Sequence, residues 1–235
     1  MNATIIEAVN FGAAYQLIQQ GGFVVVILLC ISLFAMTLIL LKLVQILWFR
    51  VGTQSGSKKA VQLWLNGQEQ DAYQLVRDSH NPSQTALAHL MRGLTAQDIN
   101  QETMREDVER VALGEIGKLR SFMRPLETIV QIAPLLGLFG TVLGMIEAFQ
   151  TLQGAGSEAD PAVLAGGIWV ALLTTAVGLA VAIPVAFVVA WFEGRIEAER
   201  LIMQEAITSL LTGRITELDQ QLDKKALSET VQHAT

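Results

Sequence analysis

Three stretches of this chain are apolar enough and long enough to cross a bilayer, and no other feature restricts the fold so strongly. They occupy residues 23–41, 128–149 and 163–192. About 20 apolar residues cover the ~30 Å hydrocarbon layer. The first and third runs carry no charge, and the second carries none before Glu147. Backbone polar groups in lipid must bond within their own segment, which leaves helices as the form for such runs. The expected fold is an all-α membrane protein with three transmembrane helices. A cleaved signal peptide does not suit the first run. Nothing before Lys42 is basic, and the apolar stretch exceeds the roughly 7–15 residues of a signal core. It reads as a retained helix.

Orientation follows from the basic residues, which favour the cytoplasmic side. Of 16 Lys and Arg, eleven lie in 42–124 and the rest are Arg195, Arg200, Arg214, Lys224 and Lys225. Residues 1–22 and the loop 150–162 have none. The expected arrangement is a short periplasmic N-terminus at 1–22, a cytoplasmic helical region at 42–127 and a periplasmic loop at 150–162. A cytoplasmic helical extension follows at 193–222, with a flexible tail at 223–235. The C-terminus is expected in the cytoplasm.

The polar segments show helical periodicity. Residues 60–76 form one such stretch, and Asn81-Pro82-Ser83 breaks the chain after it. Residues 101–124 place Met104, Val108, Val111, Leu119 and Phe122 on one stripe, interrupted at Pro125 before the second span. Beyond Phe192, residues Ile196, Met203, Ile207, Leu210, Ile215 and Leu218 form another. The second and third spans are thus expected to be long helices that extend into a cytoplasmic helical bundle.

Several function classes find no support. The net charge of −6 gives no electrostatic basis for nucleic acid binding. Cys30 is the single cysteine, and His80, His89 and His233 are scattered, whereas a zinc site needs three or four converging ligands. The run Gly137-Leu138-Phe139-Gly140-Thr141-Val142-Leu143-Gly144 lacks the Gly-Lys-Ser/Thr ending of a phosphate-binding loop. No serine–histidine or paired-aspartate arrangement falls in a span. No enzyme, metal or cofactor is expected.

The second and third spans each carry a face of small residues. Gly137, Thr141, Gly144 and Ala148 recur at helical spacing in one, and Gly167, Ala171, Thr175, Gly178 and Ala182 in the other. Small faces let membrane helices approach closely, so plain packing is one reading. The other is that the faces line a passage with Thr141 and Thr175 as its polar points. Ionisable groups that relay protons are Asp, Glu or His, and none lies in 23–41, 128–146 or 163–192. If protons cross here, a partner must bring the carrier.

The stretch Ala133-Pro134-Leu135-Leu136-Gly137-Leu138-Phe139-Gly140-Thr141-Val142-Leu143-Gly144-Met145-Ile146 resembles the second-span signature of the ExbB/TolQ family. The stretch Ala171-Leu172-Leu173-Thr174-Thr175-Ala176-Val177-Gly178-Leu179-Ala180-Val181-Ala182-Ile183-Pro184 resembles its third. MotA-type flagellar stator subunits are more distant and usually have four spans. The resemblance implies a homopentamer around two copies of a single-span partner of the ExbD/TolR type. That partner brings an aspartate to the level of Thr141 and Thr175, with Thr174 beside them. Ion flow then drives a motor whose work reaches a periplasmic protein such as TonB or TolA. One departure stands out. The family's Gly-Ile-x-Glu-Ala-Leu reads Gly167-Ile168-Trp169-Val170-Ala171-Leu172 here, with Val170 in place of glutamate. The resemblance implies a proton-driven channel subunit for TonB-dependent transport. A TolQ-like role in the Tol–Pal system, and a sodium-using or non-conducting scaffold, stay open beside it.

Overall fold

A computed structural model describes residues 2–49, 51–52, 54–96, 100–155 and 161–232, and the side chains of 22–49, 51–52, 55–96, 100, 102–154 and 161–213. Every regular element among them is a helix: α1 Asn2–Trp48, α2 Gln54–Leu65, α3 Glu69–Arg77, α4 Pro82–Thr95, α5 Gln101–Leu119, α6 Met123–Ala155 and α7 Pro161–Gln232. Three segments are long and apolar enough to cross a membrane, namely Gly22–Trp48, Met123–Gly154 and Pro161–Gly213. The all-α membrane fold read from the apolar runs is the fold observed. At about 1.5 Å per residue, the 72 residues of α7 far exceed a bilayer's thickness. Helical backbone runs on through most of the expected tail, because Leu, Gln, Lys, Ala and Glu dominate it and favour helix. Residues 233–235 lie outside the described ones.

The chain divides into two compact units, residues 1–42 with 122–191, and residues 43–121 with 192–235. In the first, α1 breaks at Gly22, whose φ of 62° and ψ of −162° suit a residue without Cβ. Beyond the break, Val24 and Leu28 pack against Ala133 of α6 and Ala182 of α7. The first span therefore contacts both other spans, although Leu33, Phe34, Met36, Leu40 and Leu41 on its remaining surface are exposed.

The second unit has a core of its own. Ala60, Val61 and Trp64 of α2, Ala72 and Val76 of α3, Leu87, Leu90 and Met91 of α4, and Met104 and Val108 of α5 enclose Ala206 and Leu210 of α7. The stripe on α7 thus buries Ile196, Met203 and Leu210, while the side chains of Ile215 and Leu218 lie outside the described residues. Residues 60–76 are two helices, not one. Gly67 adopts φ 81°, its N–H bonds Trp64 O at 3.0 Å, and Gln68 N–H bonds Leu63 O at 2.9 Å. This paired Schellman ending closes α2. Asn81 caps α4 by accepting from Gln84 N at 3.2 Å, with Pro82 in the first turn, where its missing N–H costs nothing. On the surface, His89 Nε2 lies 2.5 Å from Asp107 and joins α4 to α5. Hydrogen bonds from His89 and Arg110 hold the Asp107 carboxyl below its ordinary range.

The stripe on residues 101–124 belongs to two elements. Helix α5 ends at Leu119 and α6 begins at Met123. Met104, Val108 and Leu119 are buried as the periodicity requires, but Phe122 is 46% exposed. Phe122 has φ 64° and is the one non-glycine residue with positive φ among the described residues. Pro125 accounts for a break here, because within a continuous helix it would lose its bond to the Ser121 carbonyl and clash with it. The extension expected to precede the second span is therefore a separate helix.

Candidate functional site

The small faces of α6 and α7 meet each other. The pairs run antiparallel: Ala148 lies against Gly167, Gly144 against Ala171, and Gly137 against Gly178. A Cβ added at Gly178 would lie 2.6 Å from the Ala133 carbonyl oxygen, and one at Gly137 would lie 2.9 Å from the Thr174 carbonyl oxygen. Contact this close is possible only where side chains are absent or a single methyl, since lipid supplies no hydrophobic drive for it. Ala182 completes the contact against the α1 and α6 residues of the same cluster.

The three threonines hold distinct places. Thr174 is 2% exposed, and its hydroxyl reaches the Gly137 carbonyl of α6 at 3.1 Å and the Ala171 carbonyl of its own helix at 2.7 Å. It locks the pair at mid-contact. Gly140 makes room for it, for a Cβ there would lie 2.6 Å from Thr174 Oγ1. Thr141 turns the other way. Its hydroxyl donates to Leu138 O at 2.6 Å, and it lines a shallow apolar groove along α6 with Val142, Met145, Ile146, Phe149, Gln150 and Gln153. Thr175 is half-buried, and its Oγ1 is sealed from solvent with no hydrogen-bond partner among the described residues. A polar atom in that condition is uncommon. Val170 is half-buried and brings no charge to this stretch of α7. Glu147 is exposed. Among the described residues no group of three or more His, Cys, Asp or Glu could hold a metal.

Two features escaped the periodicity argument. Gly140 lies one position off the stripe drawn through Gly137, Thr141 and Gly144, yet it faces α7 as Gly137 and Gly144 do. Glu199 is fully buried in the second unit. Its carboxylate accepts from Gly52 N at 2.5 Å and Ser83 N at 3.2 Å, and from the Ser83 hydroxyl. Ser83 belongs to the first turn of α4, where N–H groups lack intrahelical partners and the helix dipole favours an anion. A glutamate placed between Ile196 and Met203 on an apolar stripe was the signal for it.

The fold and the threonine-bearing pair define an integral membrane protein whose spans pack through small residues. Residues 78–205 match the model of the MotA/TolQ/ExbB proton channel family, and the chain belongs to that family. Among its relatives is a putative biopolymer transport protein ExbB homolog of Methanothermobacter thermautotrophicus, 42% identical over 100 residues, which are 43% of this chain and 35% of that protein. Biopolymer transport protein exbB1 of Vibrio cholerae is 44% identical over 84 residues, 35% of this chain and 37% of that one. Tol-Pal system protein TolQ of Haemophilus influenzae is 44% identical over 70 residues, 30% of each chain. The matched stretches span about a third of the length of these curated relatives.

Proposed function

We propose that this chain is the pore-forming subunit of an ion-driven motor in the bacterial inner membrane. Copies of it, five by family likeness, surround a single-span partner of the ExbD/TolR class. The partner supplies the titrating aspartate, and the work passes to a TonB- or TolA-like periplasmic protein. The observation that carries this reading is the Thr175 hydroxyl, sealed and without a partner, in a span pair with no ionisable side chain from 128–146 and 163–192. A hydroxyl can bond a carboxyl group or a water but cannot store a proton at physiological pH, so the carrier has to come from outside the chain. Thr141 lies on the outward groove of α6, a polar point on the surface available to such a partner. Serving TonB-dependent transport is the leading role. A Tol–Pal role is its near neighbour, since relatives of both names match at similar identity.

The test is reconstitution with the partner in vesicles and measurement of ion flux. Thr141→Val and Thr175→Val are each expected to lower partner-dependent flux at least tenfold while the complex still assembles. Full flux in both variants would sink the reading. Val170, standing where the family pattern has glutamate, favours a second reading, a non-conducting scaffold of the same fold. Absence of flux under proton and sodium gradients alike would support that one, and flux under sodium alone would assign the ion.

A further inference from the structure

We infer that a cavity beside the last turn of the first span binds the headgroup of a zwitterionic aminophospholipid, of the phosphatidylethanolamine class. The cavity has a volume of about 390 Å³, within the roughly 300–1,000 Å³ of small-ligand sites. Its described lining lies within the second unit and comes from the end of α1, the start of α2, and the turn from α3 into α4. Packing holds these walls together. The Asn81 amide in the turn donates to the Phe49 carbonyl at 3.4 Å. Gly56 leaves the space that Gln84 Nε2 fills, where a Cβ would clash.

Position, polar groups and charge together define the occupant. The span ends at Trp48, which is 75% exposed, and tryptophan is favoured at the level of lipid headgroups. Val44, Leu47 and Trp48 share one helix face and are all exposed, so an apolar strip on α1 runs into the cavity at Trp48 and gives acyl chains a path. Opposite this aromatic edge stand the His80 imidazole, the Gln84 amide and the Ser55 hydroxyl. None of these three side chains is engaged by another described residue, and each can donate to a phosphate oxygen. The described lining also includes the Asp78 carboxylate and neither Lys nor Arg. Arg77 Nε donates to Asp78 Oδ1 at 3.3 Å, which leaves Oδ2 for an ammonium. Donors for a phosphate beside a carboxylate for an ammonium suit a headgroup that carries both charges. A headgroup with the phosphate charge alone would meet the carboxylate without compensation.

The test is native mass spectrometry of the full chain, purified in detergent and titrated with phosphatidylethanolamine or phosphatidylglycerol of identical acyl chains. Phosphatidylethanolamine is expected to bind about fivefold more tightly, the scale of one charge interaction at a membrane surface. Asp78→Lys is expected to reverse the order, a gain that a misfolded variant cannot produce. His80→Ala combined with Gln84→Ala is expected to weaken both lipids while far-ultraviolet helicity is retained. Soluble phosphoethanolamine at millimolar concentration is expected to leave the bound lipid in place, since it has no chains to lie along Val44, Leu47 and Trp48. Displacement would assign the cavity to a free phosphate ester and overturn the membrane source. Phosphatidylglycerol binding equal to or tighter than phosphatidylethanolamine in the native chain, or an order that Asp78→Lys leaves unchanged, would overturn the proposal.

Discussion

Glu199 carries more of the second unit's order than its charge alone would suggest. Three donors converge on it, from Gly52 N, Ser83 N and the Ser83 hydroxyl, while no part of the residue reaches solvent. A net hydrogen bond to a charged group contributes about 1.5–3 kcal/mol, and a buried donor left without a partner costs about 1–3 kcal/mol. Glu199→Ala strands all three donors and leaves space behind, so a loss on the order of 3 kcal/mol or more is expected. Glu199→Gln keeps the shape and an acceptor oxygen, and is expected to cost about half as much. Trp64 lies in the core of this unit, and its fluorescence during denaturation follows the loss. Equal stability of the alanine variant and the native chain would refute the account. The residue was legible as an oddity on the α7 stripe. Its partners were not, because Gly52 and Ser83 lie 147 and 116 residues away along the chain.

At the scale of elements, the packing of α6 on α7 is a matter of atoms left out. Gly137 and Gly178 face carbonyl oxygens of the opposite helix, which cannot swing aside as a side chain can. Overpacking in such a contact costs typically 1–3 kcal/mol and occasionally more. Gly137→Leu and Gly178→Leu are therefore expected to lower the melting temperature of the purified complex and to weaken its assembly. Gly166→Leu, where an added Cβ meets nothing within 4 Å, is expected to leave both unchanged. Equal effects at all three positions would show that bulk alone is responsible and that the close contact is not. The stripes identified the helices that meet, since spacing of small residues is visible in any sequence. They did not identify which edge of each face touches, because a glycine serves close packing and the wall of a passage equally well. Thr174 shows the limit: its neighbour Thr175 lay on the drawn stripe, but Thr174 makes the bond across the pair. The surroundings of the end of α5 were less legible still, for Gln45, whose amide donates to the Lys118 carbonyl there, lies 73 residues away along the chain.

At the scale of the whole molecule, the bilayer made the spans readable and the charge made an orientation readable. Apolar length is dictated by membrane thickness, so no tertiary contact can disguise a span. Basic residues are confined to 42–124 and to positions after Phe192, and both regions supply the second compact unit. That separation argues for one face of the membrane, because a unit with its own buried core from α2 to α5 and α7 cannot be split across a bilayer. The orientation with this unit in the cytoplasm has a direct test in a Cys30→Ser background. Lys58 and Gln153 are both exposed and lie on opposite sides of the spans in the proposed topology. Cysteine at Lys58 is expected to react with an impermeant maleimide only in inside-out vesicles, and cysteine at Gln153 only in intact spheroplasts. The reverse pattern would invert the protein and with it the direction in which a partner's aspartate must deliver its ion. Labelling of both positions from one side would contradict the single crossing by α6 that separates them, and the three-span fold itself would need revision.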